Sequence, residues 1–130
     1  MSIDAIGNFL TIVRNGIMAS KSFILAPYSG MRMAIAKILK EEGFIKDFLV
    51  VDQDNKKVIK VVLKYVDGES VIHELTRCST PGRRQYVNVG AIKPVIGGLG
   101  ISILTTNRGV ISDKKAKELA VGGEILCTVW

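Results

Sequence analysis

The chain has 130 residues, 48% of them hydrophobic, and carries 18 Lys and Arg against 12 Asp and Glu for a formal net charge of +6. That length and apolar content suit one domain or two small lobes with a real core and exclude a disordered tail, while the basic balance favours an anionic partner such as nucleic acid. The charge is not a tail: ten cations and six acids precede or include Val66, and eight cations and six acids follow it, so a binding surface has to be a folded one.

Taken in order, apolar residues recur from Ile3 at Ile6, Leu10, Val13 and Ile17, the spacing of an amphipathic helix. Ser22 to Leu25 reads as a short strand before a turn at Pro27. Ser29 is placed to cap a second helix with Met31, Ile35, Ile38 and Leu39 as its inner face and Gly43 as its end. Phe44 to Val51 and Lys57 to Val66 read as strands joined by a polar DQDN turn. In the second of them Ile59, Val61, Leu63 and Tyr65 share one face, and Val58, Lys60, Val62 and Lys64 the other. Asp67 and Gly68 favour a tight hairpin, which is expected to bring Val71 to Cys78 back beside that strand and to join two lobes.

The segment STPGRRQYV follows, with a turn at Pro81 and Gly82 and then Arg83, Arg84 and Tyr86 on an extended stretch. An exposed tyrosine beside arginines can stack on an unpaired base while the guanidiniums reach phosphates. A half-buried strand tyrosine with solvated arginines fits the pattern equally. Ala91 to Lys93 reads as a helical turn stopped by Pro94.

Ile101 to Leu104 reads as a strand, and Thr105, Thr106, Asn107, Arg108 and Gly109 as a five-residue polar loop. Ser112 and Asp113 open a helix with inner face Ala116, Leu119 and Ala120, ended by Gly122. From Gly123 the chain turns into a strand, Glu124 to Trp130, with Ile125, Cys127 and Val129 on one face and Leu126, Thr128 and Trp130 on the other. The loop's hydroxyls and amide suit 2′-OH groups, phosphates and base edges, and Arg108 adds a charge for the backbone. Pattern alone favours the plainer alternative, an ordinary surface turn. Glu124 comes near this loop if the strands pair, where it could accept a base amino or ribose hydroxyl proton; otherwise it is an exposed strand end.

Chemistry is conspicuously missing. No GxxxxGK[ST] follows a strand, the glycines at 97, 98 and 100 do not open a helix as GxGxxG requires, and the single histidine, His73, is read as a structural or surface residue in a strand without a nucleophile. An enzyme is not expected, nor any cofactor or metal. Cys78 and Cys127 are too few for a disulfide framework, make a poor zinc set with one histidine, and read as buried small hydrophobes. The start, MSIDAIGNF, lacks the cationic region of a secretory signal, and no apolar run approaches the roughly 18 residues of a membrane helix. A cytoplasmic protein with no membrane partner is expected.

NFLTIVRN, AIAKILKEEGFI, PGRRQYV, GLGISILTTNRGV and GGEILCTVW together closely resemble the universal small-subunit ribosomal protein number eight, in its bacterial form, over nearly the whole chain. The resemblance implies an α/β (α+β) fold of two small lobes, each a short mixed or antiparallel sheet with packed helices, here residues 1–66 and an RNA-recognition lobe at 67–130. It implies a primary binder of the central domain of small-subunit rRNA that supports assembly, touches neighbouring ribosomal proteins including number five, and in many relatives represses its own operon mRNA.

Carried over by position, Thr105, Thr106 and Asn107 enter the minor groove of an irregular helix near unpaired adenines, completed by Arg108 and Gly109. Tyr86 packs against the RNA, and Gly123 with Glu124 match the GGE turn that supports the loop and approaches the RNA. Arg14, Asn15 and Ser29 match auxiliary contacts of the first lobe. The departures mostly remove charge: Ile12, Gly30 and Thr80 stand where basic residues are common. Arg83 stands where leucine is frequent and Asn107 where serine is. A protein adaptor using an open sheet edge or the Trp130 end is the competing reading.

Overall fold

The computed structural model describes residues 4–130; Ile3, the expected start of the first helix, lies outside the described residues. Two compact units are formed, Asn8–Ile72 and the residues through Gly7 together with His73–Trp130. Both are mixed α/β, with helices packed on small antiparallel sheets, as the resemblance implied.

In chain order the first unit holds most of α1 (Ala5–Met18), then β1 (Phe23–Pro27), α2 (Gly30–Glu41), β2 (Ile45–Gln53), β3 (Lys56–Leu63), β4 (Tyr65–Val66) and β5 (Glu69–Ser70). Its main sheet has the order β1-β3-β2, all antiparallel. The buried stripe of α1 is Phe9, Leu10, Val13 and Gly16, not Ile6 and Ile17, which are half-buried. Gly16 explains the rotation: a Cβ there would fall 2.2 Å from the Ile24 Cγ2 and 3.4 Å from the Leu63 Cδ1, so the missing side chain is what lets the helix lie directly on β1 and β3.

Ser29 caps α2 as expected, its Oγ accepting from the Arg32 N–H at 3.1 Å, and Gly43 follows the helix at φ 80°. Ile35, Ile38 and Leu39 are buried, but Met31 is only half-buried and Arg32 takes its place, donating from Nη1 to the Pro27 carbonyl at 2.9 Å. The DQDN turn is a two-residue reversal with Asp54 and Asn55 at φ 51° and 64°, the positive-φ pair that matches the strand twist. Ile59, Val61 and Leu63 face the core as the alternation required. The strand nevertheless ends at Leu63, and Tyr65 turns away to donate its hydroxyl to the Lys21 carbonyl at 2.6 Å.

Asp67 and Gly68, at φ 52° and 80°, close the expected hairpin, but only between Tyr65–Val66 and Glu69–Ser70. Val71 to Cys78 does not return along β3. Its strand β6 (Leu75–Arg77) pairs instead with β10 (Gly123–Val129) in the second unit. That unit also contains β7 (Tyr86–Val87), β8 (Ile101–Thr106), β9 (Gly109–Ser112) and α3 (Asp113–Leu119). The sheet order is β6-β10-β8-β9, with β7 also on β10.

In this unit Ile92, Leu104 and Ala116 form a buried cluster, packed round by Val87, Ile111, Val121 and Ile125. Ser112 caps α3 and Asp113 is in its first turn. The helix ends earlier than expected, because Ala120 takes the left-handed cap at φ 55°; Leu119 and Ala120 are exposed, leaving Ala116 as the inward residue. The even alternation expected along Glu124 to Trp130 is broken by a register shift between Ile125 and Cys127, which buries Leu126 and Cys127 in succession. The helical turn expected at Ala91 to Lys93 lies at Val89–Ala91.

Candidate nucleic-acid interface

The strand β8 runs further than its apolar residues, and this corrects the five-residue loop. Thr105 and Thr106 are ladder residues paired with Val110 and Gly109, so only Asn107 and Arg108 form the turn. Gly109, at φ 101°, takes the backbone shape that a side chain would resist. Thr106 ties this hairpin end together: its hydroxyl donates to the Gly109 carbonyl at 2.9 Å and accepts from the Arg108 N–H at 3.0 Å. Asn107 and Arg108 are exposed at the tip.

The last strand brings the rest of the site to this hairpin. Glu124 on β10 stands opposite Tyr86 on β7 and opposite Thr105 on β8. Directly opposed residues of antiparallel strands project from the same face. A row of phenol, carboxylate and hydroxyl therefore crosses three strands. The Tyr86 side chain is exposed, the residue at 70%, which removes the half-buried alternative. A hollow of about 420 Å³ is lined by Tyr86, Thr105, Thr106, Asn107 and Glu124 over a floor of Val121, Gly122 and Gly123.

The two glycines are steric necessities. A Cβ on Gly122 would lie 2.3 Å from the Val87 carbonyl oxygen, and one on Gly123 would lie 2.3 Å from that of Thr105. They let β7 and β8 close on β10. Gly122 thus serves strand packing, not the helix stop.

Glu124 is 8% exposed, not a free strand end. Its Oε2 accepts from the Ser79 hydroxyl and from the Arg84 Nη1 at 3.1 Å. Burial by itself would raise the Glu124 carboxyl pKa, but these donors and the nearby Arg77 charge hold it below the ordinary 4.5. A lowered folded-state pKa means stability that is present above pH 4.5 and lost as the pH falls through the folded value. Glu124→Gln should therefore lower the melting temperature at neutral pH, with the gap from wild type narrowing as the pH falls below 4.5. A gap independent of pH would show that the charge contributes nothing.

Ser79 has no signal of its own in the sequence; it is fully buried and follows closely on β6, whose pairing with β10 is continued by the Cys78 N–H donating to the Leu126 carbonyl at 3.0 Å. Its Oγ also accepts from the Gln85 N–H at 3.1 Å, and the Gln85 carbonyl accepts from the Ile125 N–H at 2.9 Å. Arg83 exchanges backbone hydrogen bonds with Thr80 at 2.9 and 3.1 Å around the Pro81–Gly82 turn, leaving its side chain exposed. Neither Arg83 nor Arg84, Arg108 or Gly109 lines the hollow.

The first unit's candidates stand on their own elements. Arg14 and Asn15 are exposed on α1, and Ser29 is the cap of α2. Gly30 has open space where a side chain would project. Ile12 and Asn15 line a separate hollow with Lys21, Phe23 and Leu25.

Other candidates are structural. His73 lies outside the strands, its ring 5.4 Å from that of Trp130, whose indole N–H donates to Glu74 at 2.8 Å. Cys127 is buried and its thiol is pushed up to about 12 by that burial, while Cys78 is half-buried and raised for the same reason. Neither is a ready thiolate. Among the described residues no group of three or more His, Cys, Asp and Glu could hold a metal ion, and no helix is long and apolar enough to cross a membrane.

The family model described as Ribosomal protein S8 matches residues 4–130. The chain belongs to the ribosomal protein S8 family. Curated relatives named small ribosomal subunit protein uS8 include that of Halothermothrix orenii, 44% identical over 98% of this chain and 97% of its own length. That of Thermodesulfovibrio yellowstonii is 45% identical with both chains fully covered. The uS8 protein of Pseudomonas paraeruginosa is 45% identical over 98% of this chain and 97% of its own. As an S8-family member the chain is a structural constituent of the small ribosomal subunit, not an enzyme, and belongs to the cytoplasmic ribosome with its rRNA and proteins.

Proposed function

We propose that the second unit is the RNA-recognition unit of a primary rRNA-binding protein and that it reads the central domain of small-subunit rRNA through the hollow beside the β8–β9 hairpin. The observation that carries this reading is the row of Tyr86, Glu124 and Thr105 across three paired strands. A freely exposed aromatic ring can stack on a splayed base. The neighbouring hydroxyl, amide and carboxylate can meet base edges and 2′-OH groups, which in RNA are accessible at the minor groove and at unpaired nucleotides. Thr105, Thr106 and Asn107 make the edge contacts, with Gly109, Gly123 and Glu124 shaping and supporting them. Arg83 and Arg108 supply positive charge for the backbone, and Arg84 takes part through its ion pair with Glu124. Arg14, Asn15 and Ser29 add auxiliary contacts from the first unit. Neighbouring ribosomal proteins including number five, and an operon mRNA imitating the rRNA site, are the further partners of this proposal.

The test is a salt titration of the chain binding a central-domain rRNA fragment, against an RNA of equal length with its internal loop fully paired. Replacing Thr105 and Thr106 together by alanine should weaken binding to the irregular RNA and leave binding to the paired one nearly unchanged. Part of that loss would come from the Thr106 hydroxyl that ties the hairpin end. If the double variant loses its cooperative melt, these threonines serve the fold and not the RNA.

A protein-adaptor reading draws on a different observation, the exposure of Phe23, Leu25 and Leu49 on the first unit's sheet. Salt separates the two. RNA affinity should fall steeply with salt as counterions compete, whereas apolar docking should change little.

A further inference from the structure

Glu124 is the one acid lining the hollow, in a chain of net charge +6. A carboxylate opposes phosphate binding there, so its presence needs a reason. Its Oε2 is engaged by Ser79 and Arg84, and no residue among those described donates to Oε1. The side chain is thus held at one oxygen and available at the other.

Resting on the reading proposed above, we infer that Ser79 is a positioning residue for RNA recognition: it fixes the Glu124 carboxylate, with Arg84 as its counter-ion, as the hollow's acceptor for an RNA amino or hydroxyl donor. An ionised carboxylate accepts only. It pairs with an exocyclic amino group or a 2′-OH and rejects a phosphate or a base carbonyl at the same spot. The Arg84 charge, spent on Glu124 at 3.1 Å, then balances the acid instead of adding to nonspecific attraction. Ser79 links two parts of the site, since the same oxygen accepts from the Gln85 N–H and so holds the turn that leads into Tyr86. The cations that reach Glu124 are Arg84 and Arg77, and its cross-strand neighbours are Tyr86 and Thr105.

The experiment measures binding of the full chain to the irregular and the fully paired RNA for wild type, Ser79→Ala, Glu124→Gln, their combination and Arg84→Gln. Ser79→Ala should weaken binding to the irregular RNA roughly tenfold, the scale of one hydrogen bond to a charged group. Binding to the paired RNA should hold. The loss should grow as the pH is lowered, because without the serine donor the burial of Glu124 favours its protonated form. The combined variant should bind no more weakly than Glu124→Gln alone.

Arg84→Gln should reduce discrimination while leaving the salt slope unchanged. A slope reduced by about one would mean that Arg84 neutralises a phosphate, which overturns its role as counter-ion. If Ser79→Ala is unfolded at the assay temperature, Arg84→Gln decides the matter by these same criteria. A wild-type chain that binds both RNAs alike overturns the proposed function and this inference with it. A discriminating wild type matched by an equally discriminating, folded Ser79→Ala overturns the inference alone.

Discussion

Replacing Gly123 by valine is expected to destabilise the chain by about 1–3 kcal/mol or more, the range of overpacking in a closed site, and to abolish discrimination between irregular and paired RNA. The first atom added already has no room, because a Cβ at Gly123 would lie 2.3 Å from the Thr105 carbonyl oxygen and 2.8 Å from the Thr106 Cγ2. The obstacle is the backbone of β8, which cannot swing aside as a flexible side chain does. Relief requires β8 and β10 to part where Thr105 pairs with Glu124, and that pairing places the hairpin beside Tyr86. Fold and recognition should therefore fail together. Urea denaturation checks the first part, with Gly90→Ala as the control, since a Cβ there meets nothing within 4 Å. Equal midpoints for Gly123→Val and wild type would refute the close approach of the strands.

Tyr86→Ala should behave in the opposite manner, losing roughly 1–3 kcal/mol of RNA binding, the usual loss for one stacked base, with a nearly unchanged melt. A residue that is 70% exposed has little packing to lose, and the bond of β7 to β10 is made by backbone groups. Tyr86→Phe separates stacking from hydrogen bonding: it keeps the ring and should keep most of the affinity. Full affinity in Tyr86→Ala would remove the ring from the interface. A large drop in melting temperature would mean that the phenol packs more than its exposure indicates.

These contrasting outcomes follow from contacts that differ in how far they could be read along the chain. The Ser29 and Ser112 caps, the Asp54–Asn55 and Asp67–Gly68 reversals and the inward face of β3 depend on neighbours within a few residues, and local spacing was enough to place them. The polar run from Thr105 to Gly109 has the composition of a loop, whereas the ladder to β9 and β10 holds both threonines in a strand. Leu119 and Ala120 fail as inner residues because Leu119 is the last residue of the helix and Ala120 is its left-handed cap, and both are exposed. Local pattern points Val71 to Cys78 at the nearest earlier strand, although its partner lies some 50 residues later in β10, as in the pairing of Arg77 with Cys127. A bulge, likewise, leaves no regular trace in alternation.

The site divides in the same way. Tyr86, Thr105, Asn107 and Glu124 were legible as residue types suited to RNA, and the resemblance assigned them roles, but neither said that one carboxylate stands between the phenol and the threonine. Ser79 was not singled out at all. By itself the sequence determined the family, the helices and strands with strong local period, and the absence of the motifs of a nucleotide-binding or triad enzyme, because those depend on residue identity and short spacing. The tertiary structure alone decided which strands meet at β10, which glycines must lack side chains, and that Glu124 is buried and held by Ser79 and Arg84. Those depend on contacts between residues far apart along the chain, 40 and 45 positions for Arg84 and Ser79 with Glu124, which no local pattern encodes.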